Sequence, residues 1–235
     1  MDETTETTRM LTRGAAFHEG LAEGWSNAHA AGSFRARLDL FRTLLARSQP
    51  SGKHWLDLGC GSGVLTRELL AAGAHVVAVD GSPAMLAAAQ AIAPAEQPVE
   101  WQLGDAQRLS SLADGIFDGV LCSSVVEYVD APDAVLGEAT RVLKPGGKLI
   151  LSVPPTWSTV RMLQKAVRAA ARLIGRAPFP YLAVSRFEVK PARLRSWFES
   201  AGFVVDGVTA FDPVLPRFAL TLLRPALLVV EAHKT

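Results

Sequence analysis

Three glycines and an aspartate in the first third of the chain have the spacing of a nucleotide-like cofactor site. Glycine occupies every second position from Gly59 to Gly63, and Asp57 precedes the first glycine by two residues. Because glycine has no Cβ, the backbone can turn tightly and a ligand can approach it closely. A helix predicted to begin at Val64 would place unpaired N–H groups behind this turn. The stretch therefore predicts a cofactor site at the end of a strand.

The spacing of the glycines argues against a dinucleotide. A nicotinamide-binding loop has the pattern G-x-G-x-x-G, in which the third glycine allows the helix to pack closely on the strand. Here that position is Val64, and Asp57 would repel phosphate oxygens. A carboxylate there suits S-adenosylmethionine, which carries a sulfonium and an ammonium group and no phosphate. Asp80 could accept hydrogen bonds from both ribose hydroxyls, and Asp105 could bind the adenine amino group.

The elements that must position these residues alternate between strand and helix. Apolar runs predict strands at 55–58, 76–79, 99–103, 117–122, 148–153, 203–208 and 226–231. Helices are predicted from residues 64, 83, 134 and 191, and the turn sequence at 144–147 predicts the end of the third of them. This alternation predicts an α/β fold with a parallel sheet covered by helices on both faces. Ligands bind such sheets at the carboxyl ends of the strands, where the glycine turn lies.

Four motifs, taken in order, resemble those of class I S-adenosylmethionine-dependent methyltransferases. They are residues 56–63 (LDLGCGSG), 80–82 (DGS), 104–106 (GDA) and 141–147 (RVLKPGG). The resemblance covers roughly residues 50–155 and implies a Rossmann-like seven-stranded sheet, mostly parallel with an antiparallel last strand. It implies S-adenosylmethionine as cofactor, with Met85 beside the adenine. The residues implied to bind the cofactor are Asp57, Gly59, Cys60, Gly61, Gly63, Asp80, Gly81, Ser82, Met85, Asp105, Ala106, Cys122, Ser123 and Val125.

The N-terminal region resembles the start of small-molecule methyltransferases of the ubiquinone-biosynthesis O-methyltransferase type. The resemblance rests on residues 17–25 (FHEGLAEGW), followed by Arg35 and Arg37. In that group these residues fold over the cofactor, which implies that Trp25 packs against the methionine tail and that Arg35 or Arg37 holds its carboxylate. A core position in a helical cap explains Trp25 equally well. We divide the chain into a disordered tail at 1–14, a helical cap at 15–48 and a methyltransferase domain at 49–235.

The chain contains no visible catalytic triad. Methyl transfer is an in-line displacement that needs alignment of the acceptor, and a general base only where the acceptor loses a proton. Relatives that O-methylate quinone precursors often carry a Glu-His pair after the fourth strand, but this chain has Glu127-Tyr128 there. Glu127 or Tyr128 could act as the base, although Tyr128 could equally be a packing residue. His18 and His29 are further candidates that could equally lie on the surface.

An insertion at residues 156–189 interrupts the alternation and is predicted to form a lid. Its basic residues fall on one side of a predicted helix and its apolar residues on the other. The basic residues are Arg161, Lys165, Arg168, Arg172 and Arg176. We expect the apolar side to pack on the substrate pocket, with the arginines in solvent. The alternative is a contact of residues 161–176 with anionic lipid headgroups.

Composition limits the remaining function classes. Cys60 and Cys122 fit neither a CxxC nor a zinc spacing, so we expect a reducing compartment and predict no metal ligands. The acidic N-terminus is unlike a secretory signal, and no apolar run reaches the ~20 residues that cross a bilayer. We therefore expect a cytoplasmic protein, with peripheral membrane contact as the open alternative.

The acceptor is predicted to be a small, apolar or aromatic metabolite. Oxygen is the favoured methylated atom, and carbon or nitrogen remains open. Basic stripes interleaved with aromatic residues are not found, so no nucleic acid is expected as a partner. Two alternatives remain: a membrane-associated methyltransferase of a quinone or isoprenoid pathway, and a protein that binds S-adenosylmethionine without catalysis.

Overall fold

The computed structural model describes residues 12–22, 32–93, 99–212 and 223–235. The helices are α1 Arg13–Glu19, α2 Gly32–Ser48, α3 Val64–Ala71, α4 Pro83–Ile92, α5 Pro132–Val142, α6 Thr159–Arg172 and α7 Leu194–Ser200. The strands are β1 His54–Leu58, β2 His75–Asp80, β3 Val99–Leu103, β4 Phe117–Cys122, β5 Leu143–Val153, β6 Phe203–Phe211 and β7 Leu227–Lys234. Short 3₁₀ turns lie at Pro180–Ala183 and Pro191–Arg193.

The described strands form one seven-stranded sheet in the order β3-β2-β1-β4-β5-β7-β6. Strands β1 to β5 pair in parallel, whereas β7 runs antiparallel to both of its neighbours. The predicted sheet with a reversed last strand is therefore confirmed. Because the chain leaves β1 toward β2 and returns on its other side as β4, a crevice opens between the carboxyl ends of β1 and β4.

Helices cover both faces of the sheet. On one face, Phe41 and Leu44 of α2 pack with Trp55 of β1 in one apolar cluster. On the other face, Leu136 of α5 and Phe198 of α7 belong to a second cluster. Burial on both sides explains why β1 is apolar along most of its length, as expected for a central parallel strand.

Strand β5 begins five residues earlier than predicted. The sequence at 144–147 does end helix α5, but Leu143 already pairs with Phe117 of β4, and the register shifts before Lys148 pairs with Gly119. A helix-ending sequence predicts only where the helix stops. It does not distinguish a turn from an extended segment that pairs with an adjacent strand.

The insertion is fastened to the sheet at a narrow base. Pro155 and Val189 form a parallel bridge, and the N–H of Val189 donates to the carbonyl of Pro154 over 2.9 Å. Within the insertion, the Ser158 hydroxyl caps α6 by accepting from the N–H of Arg161 at 3.3 Å.

Helix α6 turns its apolar face outward and the first residue of its basic face, Arg161, inward, which is the opposite of our expectation for both, whereas Arg172 is exposed as expected. Arg161 is only 6% exposed, whereas Leu163 is 65%, Leu173 88% and Ile174 73% exposed. The predicted packing of the apolar face on the pocket is therefore wrong, and Arg176 lies beyond the end of the helix. The physical reason is that the core side of α6 supplies polar partners, among them the carboxylate of Glu188. Within the described residues, no helix has the length and apolar character needed to cross a membrane.

Candidate cofactor and acceptor site

A cavity of about 1130 Å³ lies over the carboxyl ends of β1, β2 and β4. Helices α1 and α2 and the insertion complete its walls. It brings together most of the residues singled out in the sequence. These are His18, Arg37, Asp57, Gly59, Cys60, Gly61, Asp80, Gly81, Met85, Asp105, Ala106, Ser123, Val125, Glu127 and Tyr128.

Three residues assigned to the cofactor do not line this cavity. Gly63 caps α3 in a left-handed conformation, and the Ser82 hydroxyl caps α4 by accepting from the N–H of Met85 at 3.0 Å. Cys122 ends β4 with its side chain fully buried in the core, so its expected place on the cofactor wall is corrected. The chain enters the cavity only one residue later, at Ser123.

The two candidates for holding the methionine carboxylate differ in position. Arg35 is solvent-exposed and pairs with Asp39 at 3.6 Å, whereas Arg37 lines the cavity. Trp25 and His29 lie outside the described residues.

The glycine turn is held against its neighbours by its backbone. The N–H groups of Gly59 and Cys60 both donate to the carbonyl of Val79, at 2.8 and 3.0 Å. Gly59 has φ +74°, and a Cβ there would lie 2.2 Å from the side chain of Val125. Glycine is therefore required both by the left-handed conformation and by the lack of space.

Asp80 braces the same turn from the end of β2. One carboxylate oxygen accepts from the N–H of Gly61 at 2.7 Å, and the other accepts from the N–H of Ser82 at 2.9 Å. Burial raises the pKa of Asp80, while these two backbone hydrogen bonds oppose that effect. Each carboxylate oxygen has a further lone pair, so Asp80 can still accept from a pair of ribose hydroxyls.

Asp57 is a buried carboxylate, and few neighbouring groups offset the free-energy cost of burying its charge. It is 1% exposed, and its Oδ2 accepts from the Thr66 hydroxyl at 2.6 Å. Burial raises its pKa to about 7, and the nearby carboxylate of Asp80 adds to the rise. Among the described residues no ion pair includes Asp57. A cationic ligand would offset the free-energy cost of burying this negative charge, whereas a phosphate would increase that cost. These residues therefore fit S-adenosylmethionine.

Arg37 lies between the glycine turn and the far end of the cavity. Its guanidinium donates to the Ser124 hydroxyl at 2.8 Å and also to the hydroxyl of Ser123. Burial lowers its pKa, and the Glu127 carboxylate opposes that effect. The position allows one arginine to contact a ligand on the cofactor side and to interact with Glu127 on the other.

Glu127 places a carboxylate without a full set of partners in the cavity wall. It is 3% exposed, and its Oε2 has no hydrogen-bond partner within the described part of the chain. Burial raises the pKa of Glu127, and the positive charges of Arg37 and Arg161 oppose the rise. A buried carboxylate with a free oxygen is a suitable acceptor for a proton or a hydrogen bond from a ligand.

Tyr128 and His18 pack against each other beside this carboxylate. Their rings meet edge to face with centroids 4.8 Å apart. Burial raises the pKa of Tyr128, so its hydroxyl keeps its proton at neutral pH. His18 Nδ1 lies 2.8 Å from the carbonyl of Gly14 in its own helix.

Helix α1 lies across the cavity and is held at both ends. A Cβ at Gly14 would come within 2.7 Å of Tyr128, so the helix approaches the loop after β4 as closely as glycine permits. At the other end, the Glu19 carboxylate accepts from the N–H of Ala84 at 3.2 Å and from the hydroxyl of Ser82.

Sequence reasoning placed the insertion against the substrate pocket but missed which of its residues line the cavity. Arg161, Gln164, Phe179 and Tyr181 line its far end. The alternation of charged and apolar residues identified the two faces of α6. It contained no signal for which face turns inward, because the partners of Arg161 lie 24 and 27 residues further along the chain.

Comparison with known proteins places this architecture in a family. Residues 56–151 match the family model of a methyltransferase domain. The ubiquinone biosynthesis O-methyltransferase of Xanthomonas axonopodis pv. citri is 31% identical over 180 residues, which are 75% of this chain and 74% of the relative. The protein of the same name from Nitrosococcus oceani is 31% identical over 86% of both chains.

A solved structure has the same fold. Magnesium protoporphyrin IX methyltransferase from Synechocystis PCC 6803, with bound S-adenosylhomocysteine, superposes with a TM-score of 0.66. The match covers 91% of this chain and 93% of that protein at 22% identity. Together with the relatives, these features show that the chain belongs to the class I S-adenosylmethionine-dependent methyltransferases, enzymes that take their methyl group from this cofactor.

Proposed function

We propose that this enzyme O-methylates a small, apolar or aromatic metabolite whose hydroxyl lies against Glu127. The observation that carries the proposal is the Oε2 of this buried carboxylate, which has no hydrogen-bond partner among the residues that the structure describes and belongs to the same cavity as the glycine turn. Aromatic side chains, among them Phe17, Phe34 and Phe179, contribute to the cavity walls and suit an apolar acceptor. The names of the curated relatives support oxygen as the methylated atom.

In the proposed reaction the residues of the chain align the acceptor and take its proton. Bound S-adenosylmethionine supplies the methyl group: its C–S bond breaks with the electron pair going to sulfur as the acceptor O–C bond forms. The hydroxyl proton passes to Glu127. Because burial raises the pKa of this carboxyl group, it is a stronger base than an exposed carboxylate. Arg37 and Arg161 keep the ionised form accessible.

A methyl-transfer screen tests this function. The enzyme is incubated with S-adenosylmethionine deuterated at its methyl group and a panel of hydroxylated aromatic and quinol compounds. We expect a product whose mass has increased by one deuterated methyl group, with an NMR signal for a methyl group on oxygen. Transfer only to carbon or nitrogen would contradict the proposal. Binding of S-adenosylmethionine without transfer to any panel member would favour the non-catalytic alternative.

We also propose that the outer face of the insertion contacts an anionic membrane surface. Its apolar side chains point away from the protein, with Met162 47% and Val167 44% exposed in addition to the three residues given above. Trp157, just before the helix, is 67% exposed. Arg172 and Arg176 are exposed at the end of this surface, where they complement anionic headgroups. Contact with lipid would bring a hydrophobic acceptor to the cavity.

Vesicle co-sedimentation tests the membrane contact. We expect wild-type protein to bind vesicles that contain anionic lipid, and the double variant Leu163→Asp/Ile174→Asp to lose most of that binding, because two charges replace its apolar anchors. The double variant Arg172→Gln/Arg176→Gln is expected to bind these vesicles more weakly than the wild type. Its binding should also depend less on the salt concentration.

The control is Ile116→Asp, which charges an exposed apolar residue, 40% accessible, away from the insertion. Equal binding by the control and the double variant, or no binding by the wild type, would contradict the membrane contact.

A further inference from the structure

The insertion brings one positively charged side chain, Arg161, to the far end of the cavity. Arg161 and Lys165 share the single carboxylate of Glu188, at 3.3 and 2.7 Å. Arg168 donates to backbone carbonyl oxygens of residues 177–179, which are neutral. Of these three cations only Arg161 is buried, at 6% exposed, and it shares the Glu188 carboxylate with Lys165. A buried guanidinium that shares its counter-charge can be stabilised by an anionic ligand.

Arg161 is the member of this group that can meet a ligand. It is buried, yet it lines the cavity together with Gln164 and Tyr181. Its Nη2 donates to the Ser185 hydroxyl at 2.6 Å, its Nε makes the 3.3 Å contact with Glu188, and its guanidinium lies 5.6 Å from the centre of the Tyr181 ring. Lys165 holds Glu188 at the shorter distance, so Glu188 keeps a partner if Arg161 turns to a ligand.

A backbone hydrogen bond holds the segment that carries Ser185 and Glu188, the partners of Arg161, next to Glu127. The carbonyl of Glu127 accepts from the N–H of Arg186 at 2.7 Å, which ties the end of the insertion to the loop after β4. The two side chains interact electrostatically across the cavity. One ligand can therefore present a hydroxyl to the carboxylate and a negative group to the guanidinium.

We propose that Arg161 binds an anionic group of the methyl acceptor, a carboxylate or a phosphate, while the acceptor hydroxyl lies against Glu127. This inference rests on the proposed O-methylation and narrows its substrate class to hydroxylated apolar acids. Arginine suits this role because its planar guanidinium can bind a carboxylate or phosphate with two parallel hydrogen bonds.

Calorimetric titration of three aromatic probes into enzyme saturated with S-adenosylhomocysteine tests the inference. The probes are 3-hydroxy-2-naphthoate, its neutral methyl ester and 2-naphthyl phosphate. We expect wild-type enzyme to bind the naphthoate at least about tenfold more tightly than the ester, the size of one charge-assisted hydrogen bond. Tighter binding of the phosphate than of the naphthoate would identify phosphate as the preferred anion.

Variants of Arg161 distinguish recognition from a structural role. Arg161→Gln is expected to abolish the preference for the acid while the affinity for the ester stays within about twofold. Arg161→Lys should retain part of the preference for the acid over the ester, because lysine keeps the positive charge but lacks the planar guanidinium that forms two parallel hydrogen bonds. The matched control is Arg172→Gln, which removes an exposed charge from the same helix and should leave both affinities unchanged.

Two outcomes would overturn the inference. One is a wild-type enzyme that binds acid and ester equally. The other is an Arg161→Gln variant whose affinities for the acid and for the ester fall to the same extent. That result would indicate that Arg161 only holds the insertion in place. Either result leaves O-methylation standing if a neutral hydroxylated acceptor is methylated in the screen. Loss of S-adenosylhomocysteine binding in the wild type would instead contradict the proposed function itself.

Discussion

Replacing Asp57 with alanine is expected to lower the affinity for S-adenosylmethionine by about a hundredfold or more. Asp57 is a buried carboxylate at the glycine turn, and its ionised form has no cationic partner among the described residues. A ligand with an ammonium and a sulfonium group supplies that partner, and loss of one side of a buried charge pair costs several kcal/mol in general (about 3–5). Calorimetric titration of purified enzyme with S-adenosylmethionine measures the change.

Two further variants separate charge from shape. Asp57→Asn keeps an acceptor for the Thr66 hydroxyl but removes the charge, so it should show most of the loss. Asp118→Asn removes a carboxylate of β4 that pairs with Lys144 at 2.7 Å and does not line the cavity. It should leave the affinity unchanged. Unaltered binding in both Asp57 variants would refute the assignment of this carboxylate to the cofactor.

Replacing Glu127 with glutamine is expected to reduce kcat by about a hundredfold to ten-thousandfold, the range of general-base catalysis. Glutamine keeps the size of the side chain but cannot take the acceptor proton. Because Asp57, Asp80 and the glycine turn are untouched, the affinity for S-adenosylmethionine should change by no more than about twofold. Steady-state kinetics with the acceptor found in the screen, together with calorimetric titration of the cofactor, give both quantities.

Tyr128→Phe is the matched control for the neighbouring candidate. Its raised pKa keeps the phenol protonated, and its ring packs against His18, so removing the hydroxyl should cost less than about tenfold in kcat. A large loss in Tyr128→Phe with a small one in Glu127→Gln would transfer the role of base to the tyrosine. Similar losses of cofactor affinity and kcat in Glu127→Gln would indicate a disturbed site instead.

The part of the cavity at the glycine turn could be predicted because the residues that form it follow recognisable strand ends in the sequence. The glycines at 59 and 61, Asp57 and Asp80 lie at strand ends, and parallel strands bring those ends to one edge. The seven-stranded, mostly parallel sheet with its antiparallel last strand came from the family resemblance and is confirmed. Cys122 shows the limit of this reasoning. It is still the last residue of β4 and faces the core, and only the next residue enters the cavity.

The end of the cavity formed by the insertion could not be predicted, because it depends on contacts between residues that are far apart in the sequence. Helical periodicity separates the basic from the apolar residues of α6, but both orientations of the helix have the same periodicity. The choice between them depends on Ser185 and Glu188, which return beside the helix only after the turn at 173–184. The same inversion exposes the apolar face that we assign to the membrane contact.

The insertion is joined by its backbone to the rest of the described structure near its two ends. It leaves the sheet at Pro155 and rejoins it at Val189, a bridged pair, and further backbone hydrogen bonds run from Thr159 to the carbonyl of Arg224 and from Arg186 to the carbonyl of Glu127. Asp57, the glycine turn, Asp80 and Glu127 are encoded before this segment, whereas Arg161 is encoded within it. Under our proposals, exchange of one continuous stretch of gene would change the anion-binding end of the acceptor site and leave the methyl-donor site and Glu127 intact.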